Sequence, residues 1–257
     1  MLNETFYIDG VDARNFGIYL QRPIEFSEAV PVVERQSIPG RNGDLIFETG
    51  SYENRTATAY CFCLRKDVEK AISAAGRFLM SKHGYRRLET SDDPDHFWLA
   101  RVENSPQIAH RMRTLAPFEI TFDCKPQRFL KSGEETVVLY PTEQDGAWGV
   151  THTIYNQNGF PSKPLFKIFL DTEASSIFDL TVRQDGVRIG RVLGQIKSAP
   201  FDISIDCDTH NAYNDSGNQN QNVSSYEFPE IRPGENVFSV WGLGIEKVEF
   251  IPRWWEL

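Results

Sequence analysis

Hydrophobic and polar residues alternate with a period of two along most of the chain, the period of a β-strand with one buried face. In Phe118-Glu119-Ile120-Thr121-Phe122-Asp123-Cys124 the apolar residues Phe118, Ile120, Phe122 and Cys124 fall on one side and the polar ones on the other. Residues 56–64 read as a second long strand. The rhythm changes after Asp67: Val68, Ala71, Ile72, Ala75 and Leu79 form one stripe at helical spacing, with Asp67 placed as N-cap and Gly84 as stop. Residues 85–90 and 96–102 flank the polar turn Ser91-Asp92-Asp93-Pro94-Asp95 and predict a hairpin.

Strong alternation stops over residues 125–133, where Pro, Ser and Gly enter. A linker is expected there, dividing the chain into domains at 1–130 and 131–257. Beyond it, strands are predicted over residues 134–140, 163–170, 179–193, 201–206, 236–241 and 245–251, with tight-turn signals at Gln184-Asp185-Gly186 and at Trp241-Gly242-Leu243-Gly244-Ile245. Many short strands without a helical pattern point to a β-sandwich. Residues 209–225, THNAYNDSGNQNQNVSS, are hydrophilic enough to predict an exposed or mobile loop. There is no internal repeat and no coiled-coil heptad.

Composition narrows the function classes. The 257 residues are 40% hydrophobic and 25% charged, an ordinary globular balance. The opening MLNETFYIDG has neither a basic region nor an apolar run, and no stretch approaches the roughly 20 apolar residues of a membrane span, so neither secretion nor membrane insertion is expected. Residues 1–130 hold 17 Lys and Arg against 18 Asp and Glu, a net −1; residues 131–257 hold 10 against 18, a net −8. Such acidity disfavours sequence-specific nucleic-acid binding, whose affinity comes largely from cations that release counterions at phosphates. Cys61, Cys63, Cys124 and Cys207 match neither a disulfide scaffold nor a zinc site, and Cys61 and Cys63 point to the same face of one strand. Reduced, packed thiols in a chain folded in a reducing cytoplasm are expected.

Motifs for chemistry are sparse. There is no phosphate loop, HExxH, GxSxG or CxxC, and the five histidines are scattered singly. Asp206-Cys207-Asp208-Thr209-His210 has the residue types for a cation, but as a strand end running into a polar segment it reads more simply as a solvated turn. Trp241, Trp254 and Trp255 offer rings for stacking on sugars, but aromatics near a sandwich terminus more often serve core and interface packing. The basic residues Arg101, His110, Arg111 and Arg113 sit in a nearly neutral half and read as ion-paired or solvated. No catalytic residue, metal or cofactor is expected.

The most distinctive segment is residues 38–55, IPGRNGDLIFETGSYENR: a Gly-punctuated turn, a short strand, a second Gly turn and the long strand from Arg55. The pattern alone favours an ordinary intramolecular hairpin; an exposed edge of it also offers unpaired backbone groups to another chain. This PGRNGDL, TGSY and NR pattern, following FYIDGVDARNFGI, resembles the distal tail protein (Dit) family of siphophages that infect Gram-positive bacteria. The resemblance continues at NGFPSKPLFKI (158–168), at FPEIRPGEN (228–236) and at PRWW (252–255), so it spans nearly the whole chain in order.

The resemblance implies a mainly β protein: an N-terminal split β-barrel belt domain with one helix and a protruding hairpin, and a C-terminal galectin-like β-sandwich. It implies a structural virion protein at the distal end of the phage tail, made and assembled in the host cytoplasm. Its partners would be copies of itself in a homohexameric ring, one or two stacked, the major tail tube protein, the tail-associated tip protein and receptor-binding or other baseplate proteins. Gly40, Gly43 and Gly50 are then expected to set turn geometry, and Arg41, Tyr52 and Arg55 to contact the neighbouring subunit. The main rival is a sandwich that binds host wall polysaccharide; the next is a tail-associated hydrolase.

Overall fold

The computed structural model describes residues 4–64, 68–103, 115–140, 151–170, 176–196 and 202–257. Contacts divide the chain into two compact units, residues 1–128 with Leu257, and residues 129–256.

The first unit contains β1 (Phe6–Ile8), β2 (Val11–Asp12), β3 (Tyr19–Leu20), β4 (Glu25–Phe26), β5 (Pro31–Gln36), β6 (Leu45–Tyr52), β7 (Arg55–Leu64), the helix α1 (Val68–Met80), β8 (Arg86–Thr90), β9 (His96–Val102) and β10 (Leu115–Leu130). Its main sheet has the order β2-β1-β8-β9-β10-β7-β3, with β4 also on β7. The expected alternation in β10 holds: Phe118, Ile120, Phe122 and Cys124 are buried and lie opposite Cys61, Ala59, Ala57 and Arg55 of β7. Large residues on one strand face small ones on the next, so the two strands pack closely without strain. Ala75, Phe78 and Leu79 of α1 join this core. The helix ends at Met80, before Gly84; the expected cap Asp67 lies outside the described residues, as do His110, Arg111 and Arg113.

The expected linker is not a loop. β10 stays extended to Leu130 and is followed by a 3-10 turn over Lys131–Glu134, so the chain leaves the first unit within a strand. Pro126 interrupts the hydrophobic alternation without breaking the extended backbone, which Pro tolerates.

The second unit contains β11 (Val137–Leu139), β12 (Thr151–Asn156), β13 (Leu165–Leu170), β14 (Ser176–Gln184), β15 (Val187–Ile196), β16 (Ile203–Asp206), β17 (Asn211–Asn214), β18 (Gly217–Asn218), β19 (Val223–Glu227), β20 (Gly234–Leu243), β21 (Ile245–Ile251) and β22 (Trp255–Glu256). Two antiparallel sheets, β11-β21-β13-β16-β17-β18 and β12-β20-β14-β15-β19, share one core. Phe166 and Phe250 of one sheet meet Phe238 of the other at ring-centroid separations of 6.1 and 5.1 Å. The Asp185-Gly186 turn is as predicted, with both residues at positive φ, as a two-residue hairpin needs. The second predicted turn is different: β20 and β21 belong to different sheets, and Gly244 at φ 69° carries the chain across.

Residues 209–225 are largely exposed, as expected, but they form regular structure and not a plain loop. β17 and β18 form a small hairpin, and the polar side chains bind the local backbone and one another: Asn214 Oδ1 accepts from Ser216 N (2.9 Å) and Gln219 Nε2 (3.1 Å), and Asn220 Nδ2 donates to Asn211 Oδ1 (3.1 Å). Their hydrophilicity is used for turn-forming hydrogen bonds as well as for hydration.

Candidate functional site

β5 and β6 pair with each other and with no other strand among the described residues. The ribbon they form begins as a continuation of the β4–β7 ladder. Glu25 and Phe26 lie opposite Thr58 and Ala57, Ser27 N donates to Thr56 O (2.9 Å), Glu53 N donates to Val30 O (2.9 Å), and Pro31 lies opposite Tyr52. From there the two strands run together to Gln36 opposite Leu45. No residue of β5 or β6 belongs to the hydrophobic core. Ile46 is 55% exposed and Phe47 49%.

The ribbon is not amphipathic. Directly opposed residues share a face, so Glu34 with Phe47 and Gln36 with Leu45 lie on one side, and Val33 with Glu48 and Arg35 with Ile46 on the other. Each face therefore mixes apolar and charged groups.

At the tip, Arg41 N donates to Ile38 O (3.1 Å), closing a four-residue turn with Pro39 and Gly40 in the middle. Gly40 has φ 80°, the conformation that a turn with Pro at its second position asks of its third residue. Gly43 also has positive φ, and Arg41 is exposed at the tip. Gly50 differs from expectation: it sits inside β6, where Thr49, Gly50 and Ser51 oppose the single residue Val32, and so belongs to a bulge. Thr49 Oγ1 donates to Val32 O (2.9 Å) across it. The hairpin partner differs too, because β6 pairs with the preceding β5 and not with β7. Tyr52 is half-buried at the ribbon's root.

Arg55 is 9% exposed, and its Nε donates to Ser27 O (2.7 Å), which anchors the root of the ribbon within its own chain. Beside it lies a polar clamp of which the sequence had marked only Arg101, expected to be ion-paired or solvated and here paired with Asp123. Asn54 Nδ2 donates to Asp123 Oδ1 (2.8 Å) and to Tyr85 Oη (2.6 Å), and Arg101 Nε donates to Asp123 Oδ2 (2.6 Å). Partial burial opposes ionisation of Asp123, but the hydrogen bonds from Arg101, Asn54 and Tyr85 outweigh it and hold the carboxyl below its usual range. These residues are distant in sequence and had no motif to mark them.

Elsewhere the chemistry is structural. Asp206 is buried, accepts from Arg253 (2.7 and 3.1 Å) and from the Asp208 and Thr209 amides, and closes a turn in which Asp208, Thr209 and His210 are exposed, the solvated turn expected, with an ion pair at its root. Among the described residues no group of His, Cys, Asp and Glu is arranged to hold a metal. All four cysteines are free and buried, and burial pushes the Cys61 and Cys207 thiols up and that of Cys124 to about 12, which makes them poor nucleophiles. The three tryptophans form no common platform: Trp254 packs on the sandwich core, Trp255 stacks on Phe160 (4.6 Å), and Trp241 is 48% exposed on β20. No helix among the described residues is long and apolar enough to cross a membrane.

Residues 11–124, from β2 through the ribbon to β10, match the family model of the phage tail protein RIFT-related domain. Over the whole length the fold is similar to the crystal structure of the Dit protein (gp 19.1) of SPP1, described as a paradigm of the hub adsorption apparatus in phages infecting Gram-positive bacteria. The TM-score is 0.67 at 14% identity, over 96% of this chain and 97% of that one. The expected resemblance to siphophage distal tail proteins and the expected mainly β fold are borne out by these two likenesses. No curated protein matches the chain by sequence.

Proposed function

We propose that the chain is a siphophage distal tail protein whose ribbon packs on the neighbouring subunit, so that six copies close a ring. The observation that carries this reading is a two-stranded ribbon outside the core, with open outer edges and exposed Ile46 and Phe47. An isolated two-stranded ribbon is marginal in water, and an uncovered edge invites strand addition. A head-to-tail contact repeated around a closed ring covers every ribbon at once.

In this reading residues 1–130 form the belt and residues 131–257 a peripheral sandwich. The hub joins the major tail tube protein to the tail-associated tip protein and to receptor-binding or other baseplate proteins, and it works in the virion after assembly in the host cytoplasm. The role is mechanical and calls for no catalytic residue, metal or cofactor. Gly40 and Gly43 shape the ribbon tip, Gly50 its bulge, Arg41 and Tyr52 meet the neighbour, and Arg55 holds the root.

Light scattering over a concentration series, with negative-stain imaging of the largest species, tests the reading. Six-fold rings are expected, and replacing residues 33–48 by Asn-Gly, which shortens the ribbon to a tight turn, is expected to leave folded monomers. Rings that persist in the shortened protein overturn the assignment of the ribbon. A strict monomer at every concentration, alone and mixed with the tail tube protein, overturns the ring.

A further inference from the structure

The outer face of the β12-β20-β14-β15-β19 sheet carries a feature that the hub reading leaves unused. Phe238 and Val240 of β20, Phe178, Leu180 and Val182 of β14, and Val192 of β15 point into the core. Alternation therefore places Ser239 and Trp241, Asp179 and Thr181, and Arg191 on the opposite face. Trp241 lies opposite Asp179 in the β14–β20 register. It is 48% exposed, is paired on the β14 side with the β12 ladder beginning two residues away at Thr151 opposite Ser239, and its indole makes no ring stack or hydrogen bond among the described residues.

Beside the indole stands a fixed polar group. Arg191 grips Asp179 through both Nε and Nη2, with Nε 3.0 Å from Oδ1, and Thr181 Oγ1 donates to the same oxygen at 3.0 Å. Thr181, 6% exposed, lies opposite Ser239, whose Oγ accepts from Arg183 Nη1 (3.5 Å), and Ser239 lies opposite the exposed Thr151 of β12, so a row of hydroxyls crosses the sheet near the ring and opens to solvent at Thr151. Further along β12, on the same outer face, Tyr155 is 63% exposed. It lies opposite Glu235, six positions from Trp241 along β20, which at strand rise separates the two aromatics by about 20 Å.

We propose that this face binds an uncharged saccharide chain, with Trp241 as the stacking platform for one sugar ring. A pyranose presents an apolar C–H face and an equatorial rim of hydroxyls. An exposed indole beside a carboxylate, a guanidinium and several hydroxyls matches both surfaces. The Asp179–Arg191 pair is internally neutralised and held in place, so it donates to and accepts from sugar hydroxyls with little ordering of its own. Tyr155 extends the track to a second sugar ring of the same chain. The net −8 of residues 131–257 selects against phosphate- or sulfate-bearing polymers. This inference is independent of ring assembly, because every group named lies within one sheet of one chain.

The test is a glycan array carrying uncharged and anionic oligosaccharides, probed with the full chain, followed by calorimetry on the uncharged oligosaccharide that binds best. Trp241→Ala is expected to weaken binding at least tenfold, Trp241→Phe to retain part of it, and Tyr155→Ala to weaken binding of longer chains and not of short ones. Asp179→Asn is expected to weaken it several-fold, with circular dichroism unchanged in all four variants. No binding of any uncharged oligosaccharide at millimolar concentration overturns the proposal. So does binding that Trp241→Ala leaves unchanged, or binding confined to anionic glycans.

Discussion

Replacing Phe47 by serine separates the stability of the subunit from the stability of its assembly. A phenylalanine side chain presents roughly 200 Å² to water when fully exposed. With Phe47 49% exposed, about 100 Å² remains for a neighbour to cover. At about 25 cal/mol per Å² that area contributes roughly 2.5 kcal/mol to each subunit contact, equivalent to about 70-fold in its association constant. Full coverage makes this an upper value, but each of six contacts in a closed ring loses the same increment. The isolated subunit should barely notice, because Phe47 lies outside the core and exposed substitutions usually change stability by less than about 0.5 kcal/mol. Sedimentation velocity over a concentration series reads the assembly, and urea denaturation of the dilute protein reads the subunit. A ring-to-monomer midpoint within twofold of the wild type refutes the role given to the ribbon. A subunit destabilised by 2 kcal/mol or more refutes it differently, by showing that Phe47 packs within its own chain.

Two further predictions concern the sandwich. A Cβ on Gly194 would lie 2.0 Å from Cζ of Phe178, a buried ring in the core, so Gly194→Ala should cost roughly 2 kcal/mol in urea denaturation, and Phe178→Leu in the same chain should recover part of it; an unchanged midpoint would contradict the packing. Burial opposes ionisation of Asp206, but Arg253 and the Asp208 and Thr209 amides more than offset this and lower its pKa. A carboxyl depressed in the folded state contributes stability that is fully present above its unfolded value near 3.9 and is lost as pH falls through its folded value. Asp206→Asn should therefore cost about 2 kcal/mol near pH 7 by leaving Arg253 without its partner, and the difference from the wild type should shrink as pH falls below about 4. A difference that stays constant with pH would show that the carboxylate charge contributes nothing.

The main sheets were legible because they are half-buried. In β7 and β10 one face meets a core and the other does not, and that asymmetry writes itself into the sequence as alternation. The same holds for the α1 stripe, of which Ala75 and Leu79 are buried as expected. Legibility failed where polar side chains serve the backbone. Asn214, Asn218 and Asn220 look like solvent-seeking loop residues, yet each has a side-chain oxygen that accepts a backbone N–H, which composition cannot reveal. It failed again at the ribbon. β5 carries Pro31 at its start and Glu34, Arg35 and Gln36 at its end, with no alternation to mark a strand, and so the partner of β6 was missed. The clamp around Asp123 was invisible for a different reason: Asn54, Tyr85, Arg101 and Asp123 come from four separate places in the chain, and only the folded sheet brings them together.

The failure at the ribbon is itself informative about what covers it. A ribbon that packed on its own sheet would bury one face and hydrate the other, and selection for that arrangement would sort apolar residues to one side. Here Phe47 shares its face with Glu34, and Ile46 shares the opposite face with Arg35, so neither face is suited to a dry core. Neither is wholly polar, as a ribbon standing permanently in water would be. Mixed faces of this kind match the composition of an interface between separately folded subunits, which is little more apolar than the rest of a protein's surface. In the proposed ring they would also let the monomer persist before assembly, because charged residues beside exposed apolar ones blunt indiscriminate edge-to-edge pairing. Removing the charges should therefore harm specificity before affinity: a ribbon with Glu34 and Arg35 both changed to valine should still associate, but into aggregates of no fixed size in place of closed rings.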